Sequence, residues 1–272
     1  MTEGRPAELL ALALEVAREA AALVRERRLA GVSVAGTKSS IVDVVTEADR
    51  ASEALIRSRL LAARPDDAFV GEEGGSAVGG SGVRWIVDPI DGTVNYLYGI
   101  PQYAVSIAAE DNGTVVAGVV LDVASGGEYA ASLGGGAAHN GVPLSVRAPA
   151  PMGERLVLTG FNYETSTRTI QAEAVARLLP QVRDIRRLGS CALDLCHVAE
   201  GSADAYVEEG LAIWDHAAGG LVAREAGAIL EVAIGRGGKE MVICAPSHGY
   251  AEFRSVVEKC GFLGPPDHTN GE

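Results

Sequence analysis

The chain has 272 residues, enough for one large domain or two modest ones, and its 47% hydrophobic and 22% charged content excludes a disordered or fibrous protein. A net charge of −13, from 36 acidic and 23 basic residues, works against nucleic-acid and anionic-membrane partners, and the basic runs 25–28 and 183–187 read as solvated faces. Cys191, Cys196, Cys244 and Cys260 form no CxxC pair, the start carries no signal-like apolar run, and no apolar stretch is long enough for a bilayer, so a reduced, cytoplasmic protein is expected.

Residues 6–29 carry Leu9, Leu12, Val16, Ala20 and Leu23 at helical spacing, which predicts a long amphipathic first helix. A second is predicted over 46–63, with Thr46 as N-cap, Glu47 and Asp49 in the first turn, Ala51, Leu55, Ile56 and Leu60 as its apolar face, and Pro65 beyond its end. After the glycine-rich stretch 74–82, strands are predicted at 84–87, 103–110, 115–122 and 128–132, separated by turn residues, as a mostly antiparallel meander. Proline and glycine around 148–153 mark the join between an α+β lobe, 1–150, and an α/β lobe, 151–272. The second lobe reads as strand 155–159, helix 167–179, strand 184–187, helix 191–200, strand 203–208, helix 215–226, strand 241–245 and helix 250–260.

Four acidic residues stand at element ends. Asp88 follows the apolar strand Trp85-Ile86-Val87, and Pro89 and Gly92 bend the chain so that Asp88 and Asp91 can face one point. Two carboxylates in that arrangement suit a hard divalent ion such as Mg²⁺, which takes a few protein oxygens and keeps room for water and phosphate. A helix beginning at Gly92-Thr93 would turn its free N–H groups toward a phosphate there, and Asp215 opens a later helix. Each residue also has a plainer reading: DxxD forms an Asx turn, Asp215 caps a helix, Glu72-Glu73 is a solvated loop, and Thr46 and Asp49 are capping residues. The five histidines show no ligand spacing and read as structural or solvated.

Asp88-Pro89-Ile90-Asp91-Gly92-Thr93 after Trp85-Ile86-Val87, together with Trp214-Asp215-His216-Ala217-Ala218-Gly219, resembles the two signatures of the inositol monophosphatase family, in particular its actinobacterial members. Lys38-Ser39-Ser40, Asp43 to Asp49, Gly71-Glu72-Glu73 and Asn140-Gly141 extend the likeness over nearly the whole chain, with Ile41, Tyr96 and Cys191 as mild departures. The resemblance implies a layered αβαβα sandwich, a homodimer, lithium inhibition and two to three Mg²⁺ ions. It assigns Glu72, Asp88 and the Ile90 carbonyl to a first ion, Asp88, Asp91 and Asp215 to a second, and Glu72 through water to a third. It further implies that Thr93 with Asp49, supported by Thr46, activates a water, that the Gly92 and Thr93 amides hold phosphate, and that Asp91, Gly189, Ser190, Cys191 and Glu208 read substrate hydroxyls. The substrate so implied is a small phosphorylated polyol, myo-inositol monophosphate first. Histidinol phosphate, fructose 1,6-bisphosphate and a 3′-phosphoadenosine nucleotide remain alternatives, and a catalytically silent binding module is the reading from another class.

Overall fold

The structure is a computed structural model that describes residues 4–32, 34–37 and 44–264. Lys38, Ser39, Ser40, Ile41 and Asp43, named above, and His268, one of the five histidines, lie outside the described residues. The chain opens with helix α1 (Arg5–Ala30), the paired strands β1 (Val34–Thr37) and β2 (Val44–Thr46), and helix α2 (Glu47–Ala63). Then come β3 (Ala68–Gly71), β4 (Ser76–Ala77), β5 (Val83–Asp91), helix α3 (Thr93–Tyr98), β6 (Ala104–Asp111), β7 (Thr114–Asp122), β8 (Glu128–Ser132), β9 (Gly136–His139) and β10 (Val142–Pro143). The remainder is β11 (Leu156–Thr159), α4 (Thr165–Leu178), β12 (Asp184–Arg186), α5 (Cys191–Ala199), β13 (Ala205–Glu209), α6 (Ile213–Glu225), β14 (Ala228–Ile234), β15 (Glu240–Pro246) and α7 (Tyr250–Cys260).

Among the described residues, an eight-stranded sheet has the order β10-β9-β8-β7-β6-β5-β3-β4 and a five-stranded sheet the order β12-β11-β13-β15-β14. The large sheet is the expected meander, antiparallel except where β3 runs parallel to β5.

Side-chain alternation along the strands sorts the core into three layers, because successive residues of a strand point to opposite faces. Trp85, Val87, Val105 and Ile107 pack against Leu9, Val16, Ala20 and Val24 of α1 and Ile56 and Leu60 of α2. Ile86, Ala104, Ala108 and Val120 face the other way, onto α5 and α6, which in turn meet Leu158, Tyr206 and Val242 of the small sheet. Val157, Val207, Met241 and Ile243 close the far side against α4 and α7. The order α1α2, sheet, α5α6, sheet, α4α7 is the αβαβα sandwich.

The central helices come close because their contact residues are small. A Cβ on Gly118 of β7 would lie 2.9 Å from the Ala218 carbonyl oxygen, and one on Gly219 would lie 2.8 Å from the Ala192 carbonyl oxygen.

The elements differ from expectation in a few places. Leu12 and Leu23 of α1, and Ala51 and Leu55 of α2, are only half-buried; α1 seats Ala13, Ala17, Ala21 and Val24 instead, so small residues set its approach to the sheet. The strand expected at 84–87 runs on through Pro89 to Asp91. Strands β1 to β4 and β9 were not expected, and neither was β14. The last is an edge strand whose Ile229, Val232 and Ile234 face solvent, so its apolar pattern lacks a clean alternation.

The close approach at Gly118 predicts that Gly118→Ala lowers folding stability by roughly 1–3 kcal/mol through overpacking. Urea unfolding measures this, and an unchanged midpoint would contradict the packing described.

Candidate metal and phosphate site

The site begins with a defect in a strand. Between Asp88 and Asp91 the pairing of β5 with β6 slips, with Asp88 opposite Ser106 and Asp91 opposite Ala104, so β5 holds one residue more than its partner. Residues three apart in a regular strand point to opposite faces, and one extra residue turns them to the same side. Pro89, which has no N–H to give a sheet, sits inside this bulge. Ser52 of α2 holds it by donating to the Pro89 carbonyl at 3.1 Å.

Each carboxylate of the cluster is fixed through one oxygen by backbone. The Ile90 N–H donates to Asp88 Oδ1 at 3.0 Å. Asp91 Oδ2 sits on the N-terminus of α5, accepting from the Ala192 N–H at 2.7 Å and the Ser190 hydroxyl at 2.6 Å. Asp215, third residue of α6, accepts from the Ala212 N–H through Oδ2 at 2.6 Å. Carboxylates are favoured at both helix starts by the exposed N–H groups and the macrodipole. One oxygen from each of Asp88, Asp91 and Asp215 lies within 4.8 Å of the others. Glu72 joins them from the loop after β3, in hydrogen-bonding contact with Asp88.

Burial, then the charges of Glu72, Asp91 and Asp215, pushes Asp88 well above the usual carboxylate range. Asp215 is pushed well up by burial and then by Glu72 and Asp91. Asp91 is raised from 3.8 to about 7 by burial, against the relief supplied by Ser190 and Ala192. Crowded carboxylate oxygens, with no nitrogen or sulfur ligand among them, are the donor set of a hard divalent cation, so the residues present fit one.

Beside the cluster, Gly92 takes φ 97° and caps α3. A side chain there would meet the Gln102 carbonyl oxygen at 2.8 Å. Thr93 Oγ1 lies 2.9 Å from Asp49 Oδ1 and 3.0 Å from the Ile90 carbonyl oxygen, and its single proton serves one of them at a time. Asp49 Oδ2 accepts from the Thr46 N–H at 2.9 Å and from the Thr46 hydroxyl. Burial raises the Asp49 carboxyl, and the bonds from Thr46 and Thr93 oppose this.

A cavity of about 630 Å³ joins Glu72, Asp88, Ile90, Asp91, Gly92, Thr93, Gly189, Cys191, Glu208 and Asp215 in its lining. Thr46 and Asp49 stand behind the wall and act on it through Thr93. Ser190 does not line the cavity with its neighbours Gly189 and Cys191: it is 1% exposed and its hydroxyl is spent on Asp91 and on capping the Leu193 N–H, so that hydroxyl positions a carboxylate. Asp91 likewise has one oxygen fully taken. Glu208 takes the Tyr206 hydroxyl at 2.8 Å and nests where a Cβ on Gly160 would collide with it. Burial raises its carboxyl, with Tyr206 and Arg187 acting in the other direction.

Other lining residues were not singled out in the sequence. Arg187, read as part of a solvated basic run, reaches the cavity, as do Trp214, Lys239 and the loop 161–165. Lys239 pairs with Glu164 at 3.0 Å. Asn95 donates to the Gln102 and Leu188 carbonyls at 2.8 Å each, tying α3 to the 188–190 turn. His197 with Glu200, His216 with Glu240, and His248 with the Arg147 carbonyl are structural pairs outside the cluster.

An αβαβα sandwich with an acidic cluster beside a helix start in one cavity has the donor groups that a metal-dependent phosphatase requires. The profile of the inositol monophosphatase family matches residues 5–259. An inositol-1-monophosphatase SuhB of Mycobacterium tuberculosis is 45% identical over 286 aligned positions, covering 97% of this chain and 99% of the relative. The solved structure of Mycobacterium tuberculosis SuhB superposes with TM-score 0.83 at 42% identity, covering 95% of this chain and 98% of that one. A Pseudomonas aeruginosa relative named Nus factor SuhB is 40% identical over 230 positions, covering 82% and 84%. The chain belongs to the inositol monophosphatase family and is a phosphatase that acts on a small phosphorylated substrate. No helix among the described residues is long and apolar enough to cross a membrane.

The burial of Asp91 makes a pH prediction for the metal-free protein. Asp91 binds its proton more tightly folded than unfolded, so its contribution is full below about pH 3.8 and is lost as pH rises through about 7. In chelator, the melting temperature should rise as pH falls from about 8 to about 5.5, and added Mg²⁺ should flatten the trend. A metal-free protein that melts lower on this descent would contradict the account.

Proposed function

We propose that the chain catalyses Mg²⁺-dependent hydrolysis of myo-inositol monophosphate to inositol and phosphate. The supporting observation is that Asp215 meets Asp88 and Asp91, more than a hundred residues earlier, within 4.8 Å beside Thr93. Glu72, Asp88 and the Ile90 carbonyl would hold a first ion, Asp88, Asp91 and Asp215 a second, and Glu72 through water a third. When bound, such ions lower the pKa of a water and neutralise charge on the leaving alkoxide.

The Thr93 hydroxyl orients the attacking water and passes its proton toward Asp49, whose other oxygen is locked by Thr46. The Gly92 and Thr93 amides, unpaired by helix geometry, donate to phosphate oxygens, so the chain contributes positioning and charge stabilisation for an in-line displacement. Asp91, Glu208 and the Gly189-Ser190-Cys191 turn read the ring hydroxyls; of these Asp91, Gly189, Cys191 and Glu208 line the cavity. We further read the chain as one domain of two lobes, 1–150 and 151–272, working as a cytoplasmic, lithium-sensitive homodimer.

The relative named as a Nus factor favours a second reading, action through a macromolecular partner; the net charge of −13 weighs against direct RNA binding. Phosphate release with Mg²⁺ separates the readings. We expect the highest kcat/KM on myo-inositol 1-phosphate and loss of activity with Li⁺. A tenfold or greater preference, about 1.4 kcal/mol, for histidinol phosphate, fructose 1,6-bisphosphate or a 3′-phosphoadenosine nucleotide would overturn the substrate assignment. No release from any of them would favour the partner reading.

Two substitutions test the roles. Asp88→Asn should reduce turnover below roughly 1% of wild type, since one carboxylate serves both ions. Glu208→Gln should alter the ranking of substrates while leaving kcat on the best within about tenfold; equal loss on all substrates would contradict its hydroxyl-reading role.

A further inference from the structure

We propose that Glu53 is a positioning residue of the reaction: it holds the Glu72 loop where the metal cluster needs it, an inference that rests on the metal-dependent reading of the site. Glu53 lies one helical turn beyond Asp49, on the same face of α2. It is 6% exposed, and the partners its carboxylate takes are backbone N–H groups. A buried carboxylate in that state needs hydrogen bonds, and the loop supplies them. The Glu73 N–H donates to Oε2 at 2.7 Å and the Gly75 N–H to Oε1 at 2.9 Å.

The loop is shaped to receive this carboxylate. Its ends are closed by the Gly71 N–H donating to the Gly75 carbonyl at 2.9 Å. A Cβ on Gly71 would collide with the Glu53 carboxylate, and one on Gly75 would stand 2.5 Å from Oε1. Glu72 lies inside this loop, so its placement over Asp88 is set from behind by Glu53. The same helix face holds the opposite wall, with Ser52 on the Pro89 carbonyl and Asp49 on Thr93. Helix α2 therefore sets the spacing between Glu72 and the Asp88–Asp91 bulge without touching the cavity.

Glu53→Gln keeps the shape but puts an NH₂ group against one of the two N–H donors, which frees the loop on that side. Gly75→Ala reaches the same end from the other partner by pushing the carboxylate out. Partners behind a metal ligand typically carry 10–100-fold of its affinity. The test is Mn²⁺ binding by electron paramagnetic resonance on the full-length chain, alongside the Mg²⁺ dependence of phosphate release. For both variants we expect Mn²⁺ affinity and the half-saturating Mg²⁺ to weaken by about tenfold, with kcat at saturating Mg²⁺ within about threefold of wild type. Unchanged ion affinity in either folded variant overturns the proposal. So does a fall in kcat with no shift in Mg²⁺ requirement. If Glu53→Gln does not fold, Gly75→Ala decides alone. A wild-type chain that binds no Mn²⁺ breaks the functional reading itself, an outcome distinct from active wild type with unaltered variants.

Discussion

Four carboxylates crowded at one point, Asp88 and Asp91 buried and Glu72 and Asp215 half-buried, repel one another, and much of the structure around the cavity exists to hold them there. Burying one unpaired charge is costly, and each added like charge raises the cost. Backbone N–H groups restrain Asp88, Asp91 and Asp215 through single oxygens, so each can be held without spending both. The stability lost at the cluster is offset in three apolar layers that the cluster does not enter. A divalent cation supplies the missing charge, so binding an ion and stabilising the fold are one linked event.

The geometry comes from the middle layer. Helices α5 and α6 lie between the sheets, and their small contact residues let them approach each other and β7 closely. Their N-terminal ends meet the bulged end of β5, which brings one helix start onto Asp91 and places Asp215 in the first turn of the other. On the opposite side α2, capped by Thr46, presents Asp49, Ser52 and Glu53 to the same bend and its neighbouring loop. The cluster is thus gripped between two helical layers, with the strand end as its floor.

Much of this was legible in the sequence, and for physical reasons. Pro89 and Gly92 announce a bend, alternation announces the meander, and Thr46 announces a cap, because these residues act locally. Asp215 could be placed beside Asp88 only through the family likeness, since nothing local in residues 88 and 215 tells how two sheets stack. The tie from the Ser190 hydroxyl to Asp91 was hidden for the same reason, since the two residues stand 99 positions apart. Glu53 carried a faint signal, the i, i+4 spacing from Asp49, but a Glu on a helix reads first as solvated. Strand β14 hid because an edge strand with exposed Ile and Val does not alternate.

Membership of the inositol monophosphatase family fixes the class of chemistry, and the cavity shows which side chains of this chain stand ready for it. The central claim is that the bulge of β5 and the first turn of α6 form one cation cage. Anomalous diffraction from crystals soaked in Mn²⁺ tests it most directly. The account predicts strong peaks enclosed by Asp88, Asp91 and Asp215, with Glu72 at their edge. Peaks found only elsewhere on the surface, or none at this cluster at saturating Mn²⁺, would contradict it.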